Sequence, residues 1–137
     1  MSPEESKAFF QHWNEEVWNN KRLELVDELV AEDYHRYDPG VPHEVRGPES
    51  LKQLIGMYFA AFPDLHLTPE QLIAEGNRVA VLQTARGTHG GEFMGMPATG
   101  KSVSVKVMEM FRIENNRIAE QWVNLDVLGM LRQLGMA

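Results

Sequence analysis

The sequence predicts an α+β fold: a curved antiparallel sheet wrapped around one long helix, forming a cone with an open end, in a single domain over residues 1–137. Three observations carry the prediction. Residues 78–86, 103–113 and 118–125 alternate in character and are rich in β-branched side chains, so they read as a three-stranded antiparallel ladder. Glu114-Asn115-Asn116-Arg117 joins the last two strands as a tight turn, because asparagine tolerates the positive φ that hairpin turns require. Helical periodicity comes before this ladder, the order of an α+β layer fold rather than of βαβ units.

Taken in order, Ser2 is placed to cap a first helix, Pro3 suits its first turn and Glu5 completes a capping box. Phe9, Phe10, Trp13, Val17 and Trp18 then recur at helical spacing and give one aromatic face. Asn19 and Asn20 interrupt it, and Leu23, Leu25, Val26, Leu29 and Val30 predict a second short helix. Residues 34–38 alternate as a short strand before Pro39-Gly40 turns it. Gly47-Pro48-Glu49-Ser50 opens a third helix, whose Leu51, Leu54, Ile55, Tyr58, Phe59 and Phe62 form the clearest helical stripe in the chain. Residues 65–68 and 71–75 predict a strand bent at Pro69, with Gly76-Asn77 turning into the ladder. Residues 87–100 are too long for a plain hairpin connection. Their glycines permit hinges and Phe93, Met94 and Met96 are apolar, so the loop is expected to close over the open end as a lid. Past Asp126, Leu128, Leu131 and Leu134 fit a short C-terminal helix.

Composition excludes several classes. Thirteen Lys and Arg against twenty Asp and Glu leave a net charge of −7, and the basic residues form no run, which argues against a partner made of nucleic acid. There is no cysteine, hence no disulfide or thiolate chemistry, and no long apolar span. The expectation is a soluble cytoplasmic domain that engages no membrane.

Several stretches follow one another in a recognisable order: Gly47-Pro48-Glu49-Ser50-Leu51-Lys52, Ala61-Phe62-Pro63-Asp64-Leu65-His66, Ala74-Glu75-Gly76-Asn77-Arg78-Val79-Ala80 and Gly87-Thr88-His89. Gly91-Glu92-Phe93-Met94-Gly95-Met96-Pro97-Ala98-Thr99-Gly100-Lys101 and Leu128-Gly129-Met130-Leu131-Arg132-Gln133-Leu134-Gly135 continue the series. Together the chain resembles the SnoaL-like polyketide cyclase (ester cyclase) family, part of the nuclear-transport-factor-2-like superfamily of cone-shaped α+β folds. The resemblance implies acid–base chemistry with no cofactor and no metal: proton abstraction beside a carbonyl, enolate formation and aldol ring closure. It also implies a homodimer paired through the uncovered face of the sheet.

Such chemistry needs a carboxylate or imidazole in an apolar pocket, with donors facing the developing oxyanion. Asp126, at the end of the last strand, is the first candidate for the base, sharing a face with Trp122 and Asn124 by alternation. Its alternative role is to cap the C-terminal helix. Many relatives place an aspartate directly after the Trp of this strand, where this chain has Val123. His35 and Asp38 resemble a pocket-rim segment, His35 or His89 would hold or relay the proton, and His89 is alternatively a tie for the glycine-rich loop. Arg86 and Glu109 are charged residues inside otherwise apolar strands, as a buried ion pair would require. Phe93, Met94, Met108 and Met110 offer an apolar lining, and Tyr34, Tyr37, Tyr58, Trp122 and Asn124 offer donors to a ligand carbonyl.

The leading expectation is a cyclase, lyase or isomerase acting on a small hydrophobic carbonyl compound. The rivals are a non-catalytic small-molecule binder and a dimerising module with a vestigial pocket. A titrating carboxylate inside the pocket favours the first, an all-apolar pocket the second, and a pocket filled by its own side chains the third.

Overall fold

A computed structural model describes residues 1–137 and shows the expected α+β class. Ser2 Oγ accepts from the Glu5 amide, and the Glu5 carboxylate accepts from the Ser2 amide, both at 3.1 Å, so helix α1 (Pro3–Trp13) opens on the expected capping box. Ser6, buried on its inner side, donates to the Gly76 carbonyl at 2.7 Å and ties α1 to a turn of the sheet. The helix does not stop at Trp13 but widens into a π-helical turn over Asn14–Asn19, which buries Val17 and Trp18. Asn19 then bonds Leu67 in both directions, amide to carbonyl at 2.9 Å and carbonyl to amide at 2.8 Å.

The second helix is shorter than its apolar pattern suggests. A 3-10 turn at Leu23–Leu25 leads into α2 (Val26–Leu29), and Val30 already opens strand β1 (Val30–Tyr37). β-Branched Val30 is fully buried and fits a strand as well as a helix end, so tertiary packing decides. After a two-residue strand β2 (Val45–Arg46), helix α3 (Gly47–Ala61) turns its Leu51, Leu54 and Ile55 inward as its stripe requires. Strands β3 (His66–Glu75), β4 (Arg78–Thr88), β5 (Ser102–Glu114) and β6 (Arg117–Leu125) follow, and α4 (Val127–Gln133) ends the fold.

The six strands form one sheet in the order β2-β1-β6-β5-β4-β3. The register of β3 on β4 slips between Pro69 and Gln71, where the bend was expected. One pairing departs from the antiparallel expectation: β1 runs parallel to β6, because the chain passes through β2 and α3 before the ladder begins. The sheet packs α3 against β1, α1 against β3 and β4, and α4 against β5, with Phe10 of α1 meeting Phe111 of β5 at 5.3 Å. On β5 the odd residues Val103, Val105, Val107, Glu109, Phe111 and Ile113 are buried, whereas Ser104, Lys106 and Met108 on the other face are exposed. Which parity faces in decides every assignment at the site. No helix is long and apolar enough to cross a membrane.

Candidate active site

The concave face of the sheet, α3, the π turn and α4 line an open cavity of about 70 Å³. Its walls are mostly apolar, with Phe62 from α3's end, Val103 and Val107 from β5, Val123 and Leu125 from β6 and Met130 from α4. Into this apolar space project three charged side chains, Arg36, Asp38 and Glu109, together with the ring of Tyr58.

Strand alternation explains how they arrive. Tyr34 and Arg36 share the inward face of β1, and Asp38 continues it just past the strand's end. Arg36 Nε donates to Asp38 Oδ2 at 3.2 Å, with both side chains only 5% exposed. Asp38 Oδ1 accepts from the Gly40 amide at 3.0 Å, which fixes the carboxylate in the turn after β1. Glu109 stands on β5 between β4 and β6, and each neighbour supplies a glutamine: Gln83 Nε2 donates to Oε2 at 2.6 Å and Gln121 Nε2 donates to Oε1 at 3.1 Å. Gln121 in turn accepts at Oε1 from the Tyr34 hydroxyl at 2.6 Å. A polar row therefore crosses four strands within an apolar bowl.

Burial pushes the Glu109 carboxyl above the ordinary carboxylate value, although Arg36 and the two glutamine amides act in the opposite direction. Burial also opposes charge on Arg36, but Tyr34, Glu109 and Asp38 together outweigh it, so the guanidinium stays charged with its pKa above the usual value. Tyr58 is raised by burial as well. The site thus holds a permanent cation, an aspartate paired with it, and a carboxyl whose ionisation is discouraged by the cavity.

The structure gathers few of the residues that the sequence singled out. Asp38 and Tyr58 line the cavity. Asp126 does not: it is exposed and caps α4, accepting from the Gly129 amide at 2.9 Å. Trp122 and Asn124 do share a face, but it is the outer one, where Trp122 stacks on Tyr37 at 5.4 Å and Arg78 lies over its ring. His35 is on that outer face too, its ring 4.1 Å from Tyr37. Met108 is exposed and Met110 half-buried on the same side. His89 is fully buried away from the cavity lining, and its Nδ1 accepts from the Thr99 amide at 3.2 Å. It ties the ends of its loop together, with backbone bonds of 2.9 Å to Lys101 and from Gly100.

That loop is also more structured than a lid. Gly90 and Gly91 donate to the Ala61 carbonyl at the end of α3, and a Cβ on Gly91 would collide with the Ala60 carbonyl oxygen. Phe93 and Met96 exchange backbone bonds around Met94 and Gly95, both at positive φ, forming a miniature hairpin. Phe93 is buried against Phe62 at 5.4 Å and Tyr58 at 6.1 Å, while Met94 points outward. Arg86 is exposed, so the buried cation is not Arg86 but Arg36. The residues missed from the sequence are Arg36, Gln83 and Gln121. Their signal is parity: each is polar and falls among positions that otherwise hold Val, Tyr or Ala facing inward.

Comparison with known proteins agrees with this architecture. The model of the SnoaL-like polyketide cyclase family matches residues 8–134. Aklanonic acid methyl ester cyclase DnrD of Streptomyces peucetius is 32% identical over 124 residues, covering 88% of this chain and 84% of that protein. The crystal structure of AclR from Streptomyces galilaeus is 31% identical, with a TM-score of 0.87 and 99% of each chain covered. That of IdmH from Streptomyces antibioticus is 33% identical, with a TM-score of 0.82, covering 95% of this chain and 98% of that one.

Proposed function

Because the chain belongs to the SnoaL-like polyketide cyclase family, we propose that it closes a ring in a small hydrophobic carbonyl compound by acid–base chemistry, with Glu109 as the base. The observation that supports this most is a buried carboxyl in a mostly apolar cavity, displaced upward from the range in which carboxylates are too weak to deprotonate carbon. In the proposed reaction the Glu109 carboxylate takes a proton from carbon next to a carbonyl, and the electron pair moves to the carbonyl oxygen. Arg36 faces that developing charge. Asp38 takes only its Nε, so the terminal nitrogens remain for the neighbouring phenol and for a ligand oxygen. The enolate carbon then bonds to a second carbonyl carbon of the same molecule, and the resulting alkoxide receives the proton back from Glu109.

The binder reading draws support from one feature of the same residues. Both Glu109 oxygens already accept from glutamine amides, as a purely structural buried carboxylate would. Incorporation of deuterium from heavy water next to the carbonyl of β-keto esters, followed by NMR, separates the two without knowledge of the natural substrate. The catalytic reading expects exchange with the wild type and a loss of roughly a hundredfold or more in Glu109→Gln, the usual contribution of a positioned base. Ligand retention with no exchange favours the binder, and unchanged exchange in Glu109→Gln removes the base assignment.

A further inference from the structure

We propose that Tyr34 is a positioning residue for Glu109, acting through Gln121: its hydroxyl sets which edge of the Gln121 amide meets the carboxylate, and so keeps Glu109 ready to accept a proton. This rests on the reading of Glu109 as the base. A glutamine amide has one donating and one accepting end, and an ionised carboxylate can only accept. Gln121 must therefore turn its NH2 toward Glu109, and something must hold it there. The Tyr34 hydroxyl, 2.6 Å from Gln121 Oε1, does so by occupying the accepting end. Tyr34 is fully buried and Gln121 1% exposed, so no solvent competes for either group.

One neighbour and burial together fix the direction of the phenol's proton. The guanidinium of Arg36 acts on Tyr34 from one side and is a donor only, so the phenol has no acceptor there. Burial drives the Tyr34 pKa far above the usual tyrosine value, keeping the proton that the bond to Gln121 needs.

Gln83 supplies the contrast. It donates to Glu109 Oε2 at 2.6 Å, yet its own Oε1 is buried without a partner. Nothing but Glu109 fixes the orientation of Gln83, so Gln83 follows the protonation state of the carboxyl. Gln121, held from behind, instead imposes one. If Gln121 turned over, its oxygen would face a carboxylate oxygen, an arrangement tolerable only once Glu109 is protonated.

The titratable and charged groups on the cavity around Glu109 are Arg36 and Asp38 from the β1 end and Tyr58 from α3, with Tyr34 behind Gln121. Tyr34→Phe leaves Arg36, Asp38 and Tyr58 in the chain but removes the phenol from beside Arg36 as well as the donor to Gln121, so Gln121→Met, which keeps the phenol, is the companion variant. Removing the Tyr34 hydroxyl frees Gln121 to turn, withdraws a donor from the ionised form and raises the Glu109 titration midpoint. Carboxyl-13C glutamate labelling of the full ligand-free chain reads this directly, with the Glu109 signal assigned by its loss in Glu109→Gln. We expect Tyr34→Phe to raise the midpoint by about one pH unit. Gln121→Met should raise it at least as far, and the double variant no further than Gln121→Met alone, if the path from Tyr34 to Glu109 runs through Gln121 rather than through Arg36. An unmoved midpoint in Tyr34→Phe, or additive shifts in the double variant, overturns the proposal.

The wild type gives a test that does not depend on any variant folding. The Tyr34 hydroxyl proton should remain bonded to Gln121 on both sides of the Glu109 titration, and its loss when Glu109 protonates overturns the proposal too. Failure of the base reading looks different: Glu109→Gln then retains full deuterium exchange whatever the titration shows.

Discussion

Replacing Phe93 with alanine decides what the 87–100 loop is for. An aromatic side chain that is only 3% exposed has taken roughly 150–250 Å² out of water, about 4–6 kcal/mol at 25 cal/mol per Å² as an upper bound. The methyl that alanine keeps, and partial collapse of the site, reduce this to about 3 kcal/mol, the low end for buried Phe→Ala. For a chain of this length that is a fall in Tm of roughly 10 °C. The loop resists local collapse, because the Ala61 carbonyl holds Gly90 and Gly91 while Lys101 and His89 close its base. Urea and thermal unfolding monitored by far-UV circular dichroism measure the loss. The matched control is Met94→Ser, one residue along but 61% exposed, which should change stability by under about 0.5 kcal/mol. A loss below about 1 kcal/mol for Phe93→Ala, with rapid hydrogen exchange at Gly90 and Gly91, would show a loop that undocks on its own, as the lid reading requires.

Three further outcomes follow from single contacts. Met94 has φ of +51° in its miniature hairpin, so Met94→Asn should stabilise the fold by up to about 1 kcal/mol, and a destabilised variant in urea unfolding would contradict that account of the turn. Asp126→Ala should cost about 0.5–2 kcal/mol while Asp126→Asn costs almost nothing, and neither should alter deuterium exchange; a lowered exchange rate in the asparagine variant would return Asp126 to the chemistry. Glu109 has a folded pKa above its unfolded one, so no penalty exists below the ordinary carboxylate range and the fold loses stability as pH rises through the raised value. Glu109→Gln should accordingly gain on the wild type as pH rises toward neutrality, and a gap that stays constant or narrows in parallel unfolding titrations would contradict the burial argument.

Much of the fold was legible because single-residue chemistry controls it. The capping box at Ser2, the α3 stripe, the bend at Pro69 and the turn at Asn115-Asn116 are local features, and each appears where its residues place it. The site was harder because it depends on which face of a strand turns inward. In residues 34–38 both faces carry an aromatic ring and a titratable group, so alternation alone cannot choose between Tyr34-Arg36-Asp38 and His35-Tyr37. The sheet settles it: β1 lies beside β6, and the face that holds Tyr34 and Arg36 joins Gln121 over the core. The last strand shows the same ambiguity, since Trp122 is the largest apolar residue there and yet lies outside, stacked on Tyr37. Glu109 was visible as a charge among inward valines on β5. The buried cation was not, because Arg36 lies far away in the chain, across a parallel pairing that no hairpin announces.

The pairing of β5 with β6 places Glu109 directly opposite Val123. Cross-strand neighbours on one face have their side chains rooted about 4.5–5.5 Å apart, within the reach of a single glutamate. Val123 stands where the resemblance implies an aspartate. A carboxyl group can therefore be delivered to the same part of the bowl from either strand, by a glutamate at 109 on β5 or by an acid at 123 on β6.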